Sequence, residues 1–477
     1  MTKQRLYICL GRGRRVLGSM LAASLLLAPA ALARENVLSI QTADGRVLVQ
    51  EYVDDDRSLL MGPEGYARHT YEYDENGNVT QEAFFDAEEA PALNREGYSV
   101  VQKEYDADGR VTLIRYLDAS GQPVLQQDTG AYAVRYVYDT AGNIAQLSLL
   151  GQDGSAISGK EGWATIAYIY DEAGRKTSER YYNADGSLYL MDGSYSGVDF
   201  EYDDFGNPYR ETYRDASGNV GPNKDGVTTM EKEYNDQGQA IVLRYFDGDG
   251  SPLMLAETGA YAEQRSYDAN GNVIHKVLLD ADGGLMTGAS GWAIADYTYN
   301  DSALLVTERY FDASGNPVLL AEGYTGIDRA YDERGNVISL TYHDASGNVG
   351  ENRDGVVSIQ MSYDERGHIT RLSYLDANNR PVAPASVGVY VEEREYDGYG
   401  NATRIAYLDD DGRPMNGLDG WATAEFSFDA QGRTLSERYY NNRGLLYPGP
   451  DGYAGVDREY SDSGKLVSEM YYYSEYE

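Results

Sequence analysis

The sequence predicts an all-β protein: an extended antiparallel β-hairpin repeat array, about 14 units of about 32 residues, curling into a solenoid, spiral or shell. Three periodicities carry this prediction. An aromatic-Asp-x-x-Gly segment returns once in every unit, first at Tyr73-Asp74-Glu75-Asn76-Gly77, then at Tyr105, Tyr138 and Tyr170, and last at Tyr460. Eleven positions after each anchor stands a second large residue, from Phe84 and Tyr116 to Tyr439 and Tyr471, with Leu149 and Leu278 the two that are not aromatic. Above both lies a longer period of about 129 residues, which relates Gly162-Trp163-Ala164, Gly291-Trp292-Ala293 and Gly420-Trp421-Ala422 and so groups four units into a block.

Residues 1–33 differ in kind. Lys3, Arg5, Arg12, Arg14 and Arg15 precede an apolar run from Val16 to Ala33, and Ala31-Leu32-Ala33 supplies the small residues of a cleavage site. This pattern predicts a secretory signal peptide, hence bacterial export, with a secreted, extracellular or cell-surface destination and no membrane span after cleavage. The single cysteine, Cys9, leaves with it, so the repeats are expected to hold without disulfides or cysteine-bound metal.

Residues 34–72 read as a degenerate repeat or cap. Gln41-Thr42-Ala43-Asp44-Gly45 keeps the turn and has lost the tyrosine, with Tyr52 in the eleventh place. Residues 73–459 are the repeats proper, and 460–477 a partial repeat or cap. Within a unit, runs such as Tyr132–Tyr138 alternate large and small residues between Gly and Asp, the pattern of a half-exposed strand. Asp followed three residues later by Gly suits a type I turn closed by a left-handed residue, so each anchor is a hairpin bend. A second Asp-x-x-Gly bend follows the returning strand, as at Asp118, Asp247, Asp280, Asp312, Asp344 and Asp409. It leads to an apolar piece such as Gln122-Pro123-Val124-Leu125, read as a third, edge strand because proline cannot donate to a ladder. Three strands per unit would give roughly 40, more than an open sheet holds without curling.

Composition bounds the function. Tyrosine occurs 45 times against 8 Phe and 3 Trp, which suits a thin sheet whose rings are buried while their hydroxyls stay wet. The formal charge of −37 repels phosphate backbones and anionic membranes, so nucleic acid is excluded as a default partner. The four histidines, His69, His275, His343 and His368, sit in different units without metal-ligand spacing. With no nucleophile elbow, phosphate loop or zinc motif, the sequence predicts no enzyme and no cofactor. Weak calcium binding is the one metal expectation: Asp106 and Asp108, Asp247 and Asp249, Asp280 and Asp282, Asp409 and Asp411 place paired carboxylates at Gly bends, without the rest of a calcium loop.

The segments Tyr331-Asp332-Glu333-Arg334-Gly335-Asn336-Val337 and Tyr267-Asp268-Ala269-Asn270-Gly271-Asn272-Val273 resemble the YD repeats of bacterial rearrangement-hotspot proteins, also found in insecticidal toxin-complex shells and teneurins. The resemblance implies a spiralling β-sheet shell able to enclose a toxic domain. This chain departs from it in its longer period, its second bend, its Gly-aromatic-Ala element and its ending, Tyr471-Tyr472-Tyr473-Ser474-Glu475-Tyr476-Glu477, where no cargo is expected. More weakly, the Gly-Trp-Ala and Gly-Tyr-Ala segments are similar to the aromatic repeats of choline- and glucan-binding cell-wall proteins.

Two functions follow as expectations. One is a non-enzymatic surface binding or adhesion scaffold that contacts a carbohydrate, cell-wall polymer or protein partner through Trp163, Trp292, Trp421, Tyr66 and Tyr453. The other is a structural YD-repeat shell or spacer without its own cargo. Stacking of strand rows competes with ligand contact as the use of each ring.

Overall fold

The computed structural model describes residues 37–474 other than 43–44, 54–56, 63, 430 and 462–464, so the predicted signal peptide and Cys9 lie outside the described residues. It is all-β, with 28 strands among the described residues. Each repeat contributes one hairpin, a leading strand that ends on the anchor aromatic and a returning strand that begins just after the bend. Val100–Tyr105 and Val111–Leu117 form such a pair. The degenerate first repeat folds the same way, as Val37–Gln41 with Val47–Tyr52.

The chain divides into two compact units, Met1–Ile166 with Asn183–Gly186, and Ala167–Tyr182 with Ser187–Glu477. Within the first, the hairpins from Val37–Gln41 to Ile144–Leu150 pair antiparallel in chain order. Within the second, the same holds from Lys176–Tyr182 to Leu466–Tyr472. No shift in composition marks the division, which falls inside the strand Thr165–Tyr170.

Two kinds of pairing alternate. Inside a hairpin six residue pairs face each other, Val100↔Leu117 through Tyr105↔Val111, with a bulge between Glu104 and Tyr105. Between hairpins only three pairs do: Gln81↔Gln102, Glu82↔Val101 and Ala83↔Val100. The bulge comes from the bend chemistry that the sequence announces. Gly77 has φ +89°, its N–H donates to the Asp74 carbonyl at 3.1 Å, and Asp74 Oδ1 accepts the Asn78 N–H at 2.8 Å. Glycine reaches this left-handed conformation without the penalty a Cβ imposes.

The expected third strand does not form. The second bend returns the chain for a single bridge, Leu117↔Pro123, and equivalent lone bridges join Phe85↔Pro91, Phe246↔Pro252, Phe311↔Pro317 and Leu408↔Pro414. One further bond follows, Val124 N–H to the Tyr116 carbonyl at 3.0 Å, before the chain turns away toward the next Gly-aromatic element. Equivalent segments without proline, such as Leu150↔Ala156 and Leu279↔Leu285, stop at the same single bridge, and the array has two strands per unit rather than three.

The core is thin and repeats with the hairpins. Val134, Tyr136, Leu147 and Leu149 form one cluster with Ala131, Leu149 being 2% exposed. Ile327, Tyr342, Val356, Ile359 and Tyr374 form its counterpart in the second unit. The small residue that closes each Gly-aromatic element is the most enclosed. Ala67 is fully buried, its N–H bonded to the Phe85 carbonyl and its carbonyl to the Tyr52 N–H, both at 2.8 Å, so it ties its own hairpin to the one before. Ser99, Ser196, Thr228 and Thr325 occupy the same place.

Candidate functional site

The anchor tyrosine ends a leading strand just past the bulge, and from there its ring crosses the junction to the preceding hairpin. Tyr105 donates its hydroxyl to the Val79 carbonyl at 2.7 Å, Tyr234 to Pro208 at 2.8 Å and Tyr363 to Val337 at 2.7 Å. The same bond is made at ten of the described anchors, always to the first residue of the previous returning strand or its immediate neighbour. Where Asp follows the anchor, as it does except at Asn235, Asn300 and Ser461, it is spent on its own bend. Its carboxyl is held below the usual range, at Asp74 first by the Asn78 side-chain amide and at Asp106 first by the Arg110 backbone N–H.

Within each compact unit, eleventh-position residues and Gly-aromatic rings interleave in rows. Tyr52, Tyr66, Phe84, Tyr98 and Tyr116 follow one another with ring centroids 5.8, 4.9, 5.8 and 4.9 Å apart. Offset and edge-on contacts at these separations are favourable for aromatic pairs. Burial, followed by the charge of Glu211, pushes the Tyr213 hydroxyl up to about 12.

All five sequence-predicted ligand residues belong to such rows in their own unit or pack against them. Trp421 sits 4.3 Å from Tyr407 and 5.8 Å from Tyr439 and is 6% exposed. Its ring stacks on Tyr407 and meets Tyr439 edge-on, so in this structure it is used in packing one hairpin against the next. Trp163 is half-buried against the Leu149 cluster, with Nε1 donating to Glu161 Oε2 at 3.1 Å. Trp292 is half-buried, 6.0 Å from Tyr310, with Lys276 Nζ 5.7 Å from its ring centre. Tyr66 lies between Tyr52 and Phe84, and Tyr453 is 5.1 Å from Tyr471 and donates to Asp451 at 3.3 Å.

Ion pairs cross the same kind of junction in each unit: Lys103 with Glu82 in the first, and Lys232 with Glu211, Arg329 with Glu308 and Arg458 with Glu437 in the second. Burial raises the Glu82 carboxyl, but a hydrogen bond from His69 and the Lys103 charge outweigh it and bring Glu82 down to about 2.

The four-unit period has a structural counterpart that sequence reasoning missed. Arg180, Arg309 and Arg438 each reach across a junction to Asp199, Asp328 and Asp457 at 2.5, 2.5 and 2.7 Å. The arginine lies against Gly197, Gly326 or Gly455, where a Cβ would collide with the backbone oxygen of Glu179, Glu308 or Glu437. The third member of the cluster varies: Arg214, His343 or Tyr472. The repeated Gly-Val-Asp at 197 and 455, with Gly-Ile-Asp at 326, was the signal available in the sequence.

The first carboxylate of each bend pair is occupied by protein donors, and two of the second carboxylates, Asp108 and Asp411, pair with arginine. Asp106 accepts Arg110 Nε at 2.7 Å and Asp108 pairs with Arg110 at 2.9 Å. Asp247 accepts the N–H groups of Asp249 and Ser251, Asp280 those of Asp282 and Gly284, and Asp409 those of Asp411 and Arg413. Asp411 also pairs with Arg413 at 2.8 Å. Among the described residues no group of three or more His, Cys, Asp or Glu side chains is arranged to hold a metal. The four histidines remain apart, each with its own carboxylate: Glu82, Asp296, Asp328 or Asp364. No helix among the described residues is long and apolar enough to cross a membrane.

Comparison with known proteins finds a family model, the MORN repeat variant, matching residues 69–87. That segment is nearly one whole hairpin, Arg68–Tyr73 with Val79–Phe85. No curated protein matches. Among solved structures, the chain is similar to the TcdB2-TccC3-TEV crystal structure, with 13% identity over 91% of this chain and 23% of that one and a TM-score of 0.35. TcdB2-TccC3 without its hypervariable C-terminal region gives 12% identity over 92% and 25%, with a TM-score of 0.31. A porin-like protein from Bacteroides uniformis gives 12% identity over 71% and 92%, with a TM-score of 0.12. The chain spans about a quarter of the length of the toxin-complex chains it matches.

Proposed function

We propose that this protein is an exported, non-enzymatic repeat scaffold, a hairpin wall serving as a shell or spacer of YD-repeat type. The observation that carries the reading is the packing of Trp421 against Tyr407 and Tyr439, together with the placing of the other four candidate rings in or against such rows. Rings spent on joining hairpin to hairpin build a wall. The carboxylates likewise serve bends and ion pairs, which leaves solubility as the work of the acidic surface. Export rests on the leader pattern of residues 1–33, and calcium enters only as a weakly held, exchangeable ion.

A second reading has its own support. Trp163, Tyr98 and Tyr453 each place a polar tip on a carboxylate two residues earlier, Glu161, Glu96 and Asp451. Half-buried rings beside carboxylates, as at Trp163 and Tyr453, suit a shallow site for a glycan, a wall polymer or a protein partner. Glycan-array and wall-polymer pull-down measurements on the chain lacking residues 1–33 decide between the two. The scaffold reading expects no retention, and a triple change of Trp163, Trp292 and Trp421 to Ala that lowers the melting temperature. Retention by a polymer, lost in the triple variant while melting stays unchanged, would overturn it in favour of binding.

A further inference from the structure

The internal junctions define a docking face on each side of a hairpin. A returning strand presents three positions, eight to ten residues after its anchor, and the next leading strand presents three, which lie three to five residues before its own. Val49↔Thr70, Gln50↔His69 and Glu51↔Arg68 show the register at one end of the chain, and Ser436↔Asp457, Glu437↔Val456 and Arg438↔Gly455 at the other. Two strands have half of this arrangement. Among the described residues, Val37–Gln41 pairs with Val47–Tyr52 alone, and Leu466–Tyr472 with Gly455–Tyr460 alone.

The side chains at these edges are exposed where their internal equivalents are covered. Tyr471 is 42% exposed, whereas Tyr439, at the same place one repeat earlier, is 7% exposed. Val467 is 65% and Met470 57% exposed, while the corresponding Leu435 and Arg438 are half-buried. On the opposite face Leu38 is 41% exposed, and its equivalent Thr70 is half-buried. Neither edge carries the usual protections of a proline, a bulge directed at the partner or a row of lysines.

We propose that the Leu466–Tyr472 edge accepts a second copy of this chain, whose Val37–Gln41 strand adds to it in the register of the internal junctions, Ser468 opposite Leu38 and Glu469 opposite Val37. The occupant follows from continuity: Val37–Gln41 begins a hairpin of the same repeat, and its outer face is the one that every later hairpin lays on a returning strand. Gln41 stands at the anchor position, where its side-chain amide can donate to the neighbouring carbonyl as the anchor hydroxyls do. The contact is heterologous, so it leaves one free edge of each kind and growth continues beyond a dimer. Copies with a formal charge of −37 repel, so added salt strengthens the association.

Cysteine cross-linking tests the pairing, because removal of residues 1–33 takes away the only native cysteine. Leu38→Cys and Ser468→Cys chains, mixed and oxidised, are expected to give a disulfide-linked pair, with at least tenfold less product when Glu75→Cys, on an exposed bend, replaces Ser468→Cys. Light scattering is expected to show mass above one chain that rises with concentration and salt, and Val467→Lys to raise the required concentration about tenfold. Single-chain mass throughout, or equal cross-linking from the bend cysteine, overturns the proposal. The strand Leu466–Tyr472 protected from hydrogen exchange only in the assembled sample would identify the edge, and protection independent of assembly would count against it.

Discussion

The hydroxyl of Tyr105 donates to the backbone carbonyl of Val79, 26 residues earlier, across 2.7 Å. This bond joins two hairpins whose ladder holds only three facing pairs, so it strengthens the weaker of the two kinds of pairing. Tyr105→Phe keeps the ring and loses the bond. A net cost of about 0.5–1.5 kcal/mol is expected, read as faster hydrogen exchange at the Val79–Phe85 and Val100–Tyr105 junction with hairpin amides elsewhere unchanged. Phe428 already fills an anchor place without a hydroxyl, so the substitution should fold.

Two bend glycines separate conformational cost from steric cost. Gly283 and Gly323 have φ of +85° and +82°, but an added Cβ meets nothing within 4 Å at Gly283 and the Arg353 backbone nitrogen at 2.5 Å at Gly323. Gly283→Ala is expected to lose about 1 kcal/mol through the left-handed backbone alone. Gly323→Ala should lose clearly more, and urea melts monitored by circular dichroism would order the two.

Glu82 sets an acid limit. Its folded pKa of about 2 lies below its ordinary value of 4.5, so the folded state binds this proton less readily than the unfolded chain does. The stability it contributes is therefore complete above about pH 4.5 and is lost as pH falls toward 2. Melting temperatures of the parent and Glu82→Gln chains measured from pH 6 to pH 2 should converge across that window.

Alkaline pH acts in the opposite sense through the tyrosines. Tyr213 is pushed up to about 12, so its contribution is present below its ordinary pKa of 10 and lost as pH rises from 10 toward 12. A spectrophotometric titration of tyrosinate is expected to show most rings ionising late and together with the loss of β structure.

The tryptophans should differ in energetic weight. Trp421, at 6% exposure, stacked on Tyr407 and edge-on to Tyr439, is expected to cost about 3–5 kcal/mol when changed to Ala. Trp163→Ala, from a half-buried position, should cost less in the same thermal melts.

What could be seen in the sequence was local. The bend at Asp74–Gly77, the strand ending on Tyr73 and the hairpin of the degenerate first repeat follow from turn chemistry confined to the bend itself, and all three form. The apolar piece at Pro123 was misread because strand composition does not state how many ladder bonds a segment can complete. The burial of Trp421 depends on Tyr407 and Tyr439, which stand in the returning strands before and after it, and the side on which those rings lie is decided by hairpin packing. The Arg309–Asp328 pair crosses a junction in the same way, although its recurrence in every fourth repeat was open to view.

The tyrosine bonds all point one way, from each hairpin to the one before it. Within each compact unit, a chain that emerges from its leading end first therefore presents each new anchor tyrosine with an acceptor carbonyl already made, in the hairpin before it. Such an array can consolidate step by step as the chain emerges, because these bonds among the described residues reach back only about one repeat.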